Sequence, residues 1–137
     1  MKTDSLTFRA LDNNDIFKLI NATRKGVDYE MFDNFALTYP LNLTDWSRIL
    51  NMSERTIQRY KREKKRFDSI HTEKLLMIML LFKKGTEVFG STTNFLAWIN
   101  SKNIALGGDK PTDLLDNSFG INMVKNELVK IEHGILA

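Results

Sequence analysis

The sequence predicts an all-α fold, in which a helix-turn-helix bundle is followed by a second, small helical domain. Three observations carry this. Apolar residues recur at helical spacing along most of the 137 residues, and nothing alternates apolar and polar for long enough to make a firm strand. Glycine, proline and capping residues fall between the apolar segments, where helices stop and start. The net charge of +3 is concentrated in one short segment, which follows a three-residue interruption between two helical stretches.

Residues 15–25 read as a first helix. Asn14 or Asp15 is its cap, Ile16, Phe17, Leu19 and Ile20 form its apolar face, and Gly26 ends it in a left-handed conformation. Residues 28–38 read as a second, with Met31, Phe32, Phe35 and Ala36 on one side and Pro40 just beyond its end. A third, residues 44–50, is capped by Thr44 and turns Trp46, Ile49 and Leu50 inward. Asn51, Met52 and Ser53 interrupt it. Ser53 then caps a fourth helix, residues 54–67, with Ile57 and Tyr60 buried. Residues 71–89 form a fifth. Its middle, residues 75–82, is apolar all round, so it is expected to be buried on most sides. A hinge is expected near Gly85–Gly90. Residues 92–101 form a sixth helix with Phe95, Leu96 and Ile99 on its core side. Residues 102–111 form a loop and 112–116 a short turn of helix. A last helix runs from Phe119 or Gly120 to His133, with Val124, Leu128 and Ile131 on one face and Gly134 as its stop. Residues 6–10 are the one weak strand candidate.

Composition removes several classes of function. Cysteine is absent, which excludes disulfides, thiolate metal sites and thiol nucleophiles. Neither histidine suggests catalysis. His71 lies in a helix-start region, and His133 sits beside a helix-ending glycine, where the macrodipole favours a protonated imidazole. The acidic pairs Asp109/Asp113 and Asp113/Asp116 read as loop and cap residues. No enzyme, cofactor or metal is therefore expected. The longest apolar run, residues 75–82, falls well short of the ~20 residues a membrane span needs. The first nine residues lack the apolar stretch of a signal peptide, so the expected setting is the cytoplasm, away from membranes.

The charge distribution says more than its sum. Residues 1–52 carry six basic and seven acidic side chains, residues 53–66 seven and two, and residues 67–137 seven and eight. A basic run alone is also what a solvated helix face, or a helix meeting an acidic protein, looks like. Here it follows a helix and a three-residue turn. Two helices joined so tightly cross steeply, and the N-terminal residues of the second reach base edges in a major groove. Ser53, Arg55, Thr56, Gln58 and Arg59 occupy those positions. Arginine can pair bidentately with guanine and glutamine with adenine. The free N–H groups at the helix start could hold a phosphate. Lys61, Arg62, Lys64, Lys65 and Arg66 follow as candidates for neutralising phosphate. Double-stranded operator DNA is the expected partner of this face.

The second half is harder to read from its residues alone. Trp98 could be core or contact surface. The stretch 105–111 is not a phosphate loop, since no strand precedes it and no GK[ST] follows. Its motifs, however, are spaced distinctively: Phe89-Gly90, Trp98-Ile99-Asn100, Leu106-Gly107-Gly108 through Pro111, Leu114-Leu115-Asp116 followed by Gly120, and Ile131-Glu132-His133-Gly134. This half resembles the toxin-binding domain of Xre/MbcA/ParS-type antitoxins. Arg24-Lys25-Gly26, Leu50, Ser53-Glu54-Arg55-Thr56 and the basic helix fall where that family has its helix-turn-helix. The resemblance covers residues 22–137. A Phe-rich helix stands where a more Leu/Ala-rich one is usual, which leaves the dimer contacts open.

The resemblance implies an antitoxin partnered with a RES-domain toxin, an enzyme that consumes NAD. Such an antitoxin is a homodimer. It binds its toxin through the C-terminal domain, denies NAD access to the toxin's active site, and represses its own operon through the helix-turn-helix. The implied division is an N-terminal extension (1–21), a DNA-binding domain (22–88) and a toxin-binding domain (89–137). Trp98, Leu106, Gly107, Gly108, Pro111, Glu132, His133, Gly134, Ile135, Leu136 and Ala137 are the candidate toxin-binding residues. The apolar segment 135–137 follows a helix stop and is short enough to enter a cleft, with Glu132 and His133 at its mouth; it could equally fold back on its own domain. A stand-alone helix-turn-helix regulator, whose C-terminal domain binds a ligand or another partner, is the alternative. That reading expects a closed cavity in the second half, whereas an antitoxin should expose apolar surface there.

Overall fold

In the computed structural model of the protein, residues 7–12 and 14–134 are described. Seven α-helices follow in order: α1 (Ile16–Lys25), α2 (Tyr29–Thr38), α3 (Leu43–Leu50), α4 (Glu54–Glu63), α5 (Ser69–Phe89), α6 (Thr92–Ile99) and α7 (Ser118–Glu132). Two 3-10 turns, Ile104–Leu106 and Pro111–Leu114, lie between α6 and α7. The all-α expectation holds among the described residues, where the sole β contact described is a bridge between Asp28 and Arg66. Residues 7–10 form a turn, not a strand, because the amide of Ala10 bonds Thr7 and that of Leu11 bonds the Phe8 carbonyl. Leu6 lies outside the described residues. No helix described is long and apolar enough to cross a membrane.

The chain divides into two compact units, residues 1–80 and 81–137, and the division falls inside α5. The first unit is built on aromatic packing. Phe32 stands edge-on to Trp46 (centroids 5.1 Å apart) and to Phe67 (5.7 Å). Ile49, Leu50, Leu75, Ile78 and Met79 close the core around them. Local signals set the helix starts. Asp15 accepts the Lys18 amide and Asp28 the Met31 amide. The cap of α3 is Asn42, whose side chain takes the Asp45 amide at 2.7 Å. Thr44, expected as that cap, lies within the helix and donates to Glu54 instead. The apolar face expected on α1 packs little: no residue of this helix is buried, and Phe17 is 76% exposed.

The second unit packs Leu81 and Phe82 of α5 with Phe95, Ile99, Leu106, Leu115, Ile121, Val124 and Leu128. Helix α5 runs through Gly85 without a break, contrary to the hinge expected there. A Cβ at Gly85 would lie 2.0 Å from the Phe95 ring, so this glycine admits a neighbour and does not loosen the helix. The chain turns only at Gly90, where φ is +82°. Gly120 has the same use as Gly85: a Cβ there would meet the Leu114 carbonyl oxygen at 1.7 Å. Helix α7 starts at Ser118, just ahead of expectation, because Asn117 accepts the Gly120 amide and serves as its cap.

Candidate nucleic-acid interface and partner surface

The turn between α3 and α4 has the tight form the sequence suggests. Asn51 takes a left-handed conformation (φ +55°), Met52 is buried beneath the turn, and Ser53 opens α4. Ser47 donates its hydroxyl to the Met52 carbonyl, which fixes the turn from inside. Ile57, 1% exposed, anchors α4 to the core. Truncating such a residue to alanine typically costs about 2–5 kcal/mol. With one side pinned, the opposite side of α4 faces water. Arg55, Gln58, Arg59 and Arg62 follow there at helical spacing and, with Thr56, line a concavity of about 380 Å³.

The individual roles separate at this point. Ser53 Oγ accepts the Thr56 amide at 3.0 Å and donates to the Thr56 hydroxyl at 2.8 Å, so its part is to start the helix. The Thr56 amide is thereby occupied. Arg55, Arg59, Lys61 and Lys64 are exposed, and none has an acidic partner among the described residues. Arg62 reaches only its neighbour Glu63, at 4.0 Å and on the surface, a contact of little energetic weight. Lys65 lies over the Tyr60 ring, 5.5 Å from its centroid.

Helix α4 is shorter than expected. It stops at Glu63, where Lys64 turns left-handed (φ +53°) and the Lys65 amide bonds back to the Tyr60 carbonyl. A basic residue at this position is unusual, since glycine normally fills it. Arg66 is consequently off the helix. Its Nη1 donates to the Gly26 carbonyl at 2.6 Å, and its backbone pairs with Asp28.

In the second unit, Trp98 is half-buried and packs on Phe89 (5.4 Å) and Phe95 (6.3 Å). Leu106 and Pro111, named as candidate contacts, are buried, so they shape the loop from within and are not available to a partner's side chains. Gly107 and Gly108 are exposed with φ of +79° and +88°. The loop closes on Asn103, whose carbonyl accepts the amides of Leu106 and Gly108 and whose own amide bonds the Asp109 carbonyl. Glu132 is held by Lys84 at 2.7 and 2.8 Å, and this hydrogen bond lowers the carboxyl's pKa from its ordinary value. His133 ends α7, Gly134 follows with φ of +71°, and both are exposed. Ile135, Leu136 and Ala137 lie outside the described residues.

Sequence reasoning missed three side chains here. Ile104 is 95% exposed, Phe119 86% and Met123 44%. Phe119 and Met123 stand one helical turn apart on α7, and the 3-10 turn that carries Ile104 packs against the same helix. An isolated exposed apolar residue means little, but three on neighbouring elements of a small unit are candidates for contact with a partner; the first unit also exposes Ile16, Phe17, Leu37 and Ile70. The available signal was that Phe119 falls outside the face defined by Val124, Leu128 and Ile131.

Two family models match the chain. The Xre-like helix-turn-helix domain of antitoxins matches residues 18–79, and the C-terminal toxin-binding domain of Xre/MbcA/ParS antitoxins matches residues 84–134. Neither is a family of enzymes. No curated protein matches the chain.

Proposed function

Since this chain belongs to the Xre/MbcA/ParS antitoxins and carries both the helix-turn-helix and the toxin-binding domain of a toxin–antitoxin system, we propose that its target is a RES-type, NAD-consuming toxin and that it represses its own operon. On this reading it is not an enzyme and acts in the cytoplasm as a homodimer. One contrast supports both halves of the proposal: a cationic face on α4 in the first unit and exposed apolar side chains beside α7 in the second. The α4 face offers exposed cations around Gln58, which suits a polyanion. The second unit offers Ile104, Phe119 and Met123, which suit an apolar protein surface.

An inert protein stops an enzyme by covering its active site or by deforming it. We favour covering, with the exposed apolar residues as anchors and the segment after Gly134 reaching the toxin's NAD site. Arg55, Gln58, Arg59 and Arg62 read the operator, while Lys61, Lys64 and Lys65 neutralise phosphate. Co-expression with the product of the adjacent reading frame tests this. Co-purification with loss of NAD consumption is expected, and an adjacent enzyme that remains active in the complex would refute it. Removing residues 132–137 should then restore NAD consumption, and undiminished inhibition would rule out the C-terminal segment as the block.

A further inference from the structure

Arg66 belongs by sequence to the basic run, yet its geometry sets it apart. The other cations of the run stand on α4 or at its end. The guanidinium of Arg66 turns back to the carbonyl of Gly26, at the C-terminal end of α1, where a helix favours a cation. Next to it the Phe67 amide bonds the Val27 carbonyl at 2.9 Å. The buried Thr72 hydroxyl ties both strands of this junction together, accepting the Val27 amide at 3.0 Å and donating to the Phe67 carbonyl at 3.3 Å. The approach is so close that Gly26 is obligatory: its φ is +84°, and a Cβ would lie 2.2 Å from the Phe67 carbonyl oxygen.

Thr72 pins one side of the junction and Arg66 the other. Between them the Phe67 amide and the backbone bridge of Arg66 with Asp28 hold the two segments together, and the Arg66 guanidinium adds a side-chain bond next to the exit of α4. We propose that Arg66 is a positioning residue for DNA recognition: it clamps the Gly26 carbonyl, fixes the exit of α4, and so aims Arg55, Gln58, Arg59 and Arg62, without itself touching phosphate. This rests on the DNA-binding reading above. It removes from the phosphate-binding set a residue that charge alone would place there.

The test uses the full chain and a duplex that it selects from a randomised library. Arg66→Ala should weaken binding by up to roughly tenfold, because losing a hydrogen bond to a charged group lowers the fraction of free chains in which α4 is already aimed. The slope of log affinity against log salt should not change, because no phosphate contact is lost. Amide exchange at residues 64–67 should accelerate in the absence of DNA, and Arg66→Lys, which keeps a cationic donor, should slow it again. Lys61→Ala is the contrast, with a slope shallower by about one and unchanged exchange. A shallower slope in Arg66→Ala would make this residue a phosphate contact and overturn the proposal. Unchanged affinity would make the clamp merely structural and overturn it as well. If Arg66→Ala does not fold, Arg66→Gln is judged by the same readouts. Absence of salt-sensitive duplex binding by the unaltered chain would instead overturn the DNA reading, and this role with it.

Discussion

Two helices, α4 in the first unit and α7 in the second, present opposite materials to water. In the first, the solvent face of α4 is almost wholly polar and its one buried residue, Ile57, does the anchoring. In the second, α7 buries Ile121, Val124 and Leu128 and still shows water Phe119 and Met123. A charged face gains affinity by releasing counterions and remains soluble while unoccupied. An apolar face gains by leaving water and is a liability until it is covered. The comparison therefore predicts that the two partners respond differently to the same perturbation.

Salt gives the largest expected contrast. If Lys61, Lys64 and Lys65 each neutralise a phosphate, duplex affinity should fall about 40-fold between roughly 50 mM and roughly 200 mM salt. Toxin binding, measured by calorimetry over the same range, should change little. An equally steep loss for the toxin would mean that charge, and not Phe119 and Ile104, holds it.

Phe119→Asp comes next. The side chain is exposed, so thermal stability should be almost unchanged. If Phe119 is an anchor of the interface, toxin affinity should drop by about 2 kcal/mol, some 30-fold. Duplex affinity should stay as it was. Loss of duplex binding in this variant would break the separation of the two surfaces.

A smaller effect sharpens the picture within α4. Arg55→Ala or Arg59→Ala should relax base preference by about 1–3 kcal/mol at one position of the selected duplex. Lys64→Ala should weaken all sequences alike. Altered preference in the lysine variant alone would mean that α4 docks by its C-terminal end.

These surfaces were unequally legible in the sequence. The basic face is contiguous, so a count of charges over residues 53–66 found it, and the Asn51-Met52-Ser53 turn marked its start. What the count could not see was where the helix would end. Lys64 adopts a glycine-like conformation, and Arg66 finds a carbonyl forty residues back in the chain. Both depend on Phe67 being drawn into the aromatic core beside Tyr60 and Phe32. The apolar surface was illegible for a related reason. Exposure of Ile104 follows from a loop closed by Asn103, and exposure of Phe119 from an α7 start set by Asn117. Burial of Leu106 and Pro111, two residues with the look of contacts, has the same tertiary origin.

The smallest effect compares two carboxylates, one in each unit. Asp68 is held below its usual pKa chiefly by the backbone amide of His71, at 2.8 Å. Glu132 is held below its own chiefly by the Lys84 side chain. Both shifts have the same sign. Each group binds its proton less readily in the folded chain, so each contributes stability above its unfolded pKa and loses it as pH falls through the lowered folded value. Their causes differ, and salt separates them. A surface ion pair is screened, whereas an amide dipole aimed at its acceptor at contact distance is much less so. Carboxyl titration by NMR should therefore show the Glu132 value climbing toward normal in high salt or in Lys84→Met, with Asp68 still depressed in both. If Glu132 stays low without Lys84, the end of α7 is set by something other than this pair, and its placement as the launching point toward a toxin loses its physical basis.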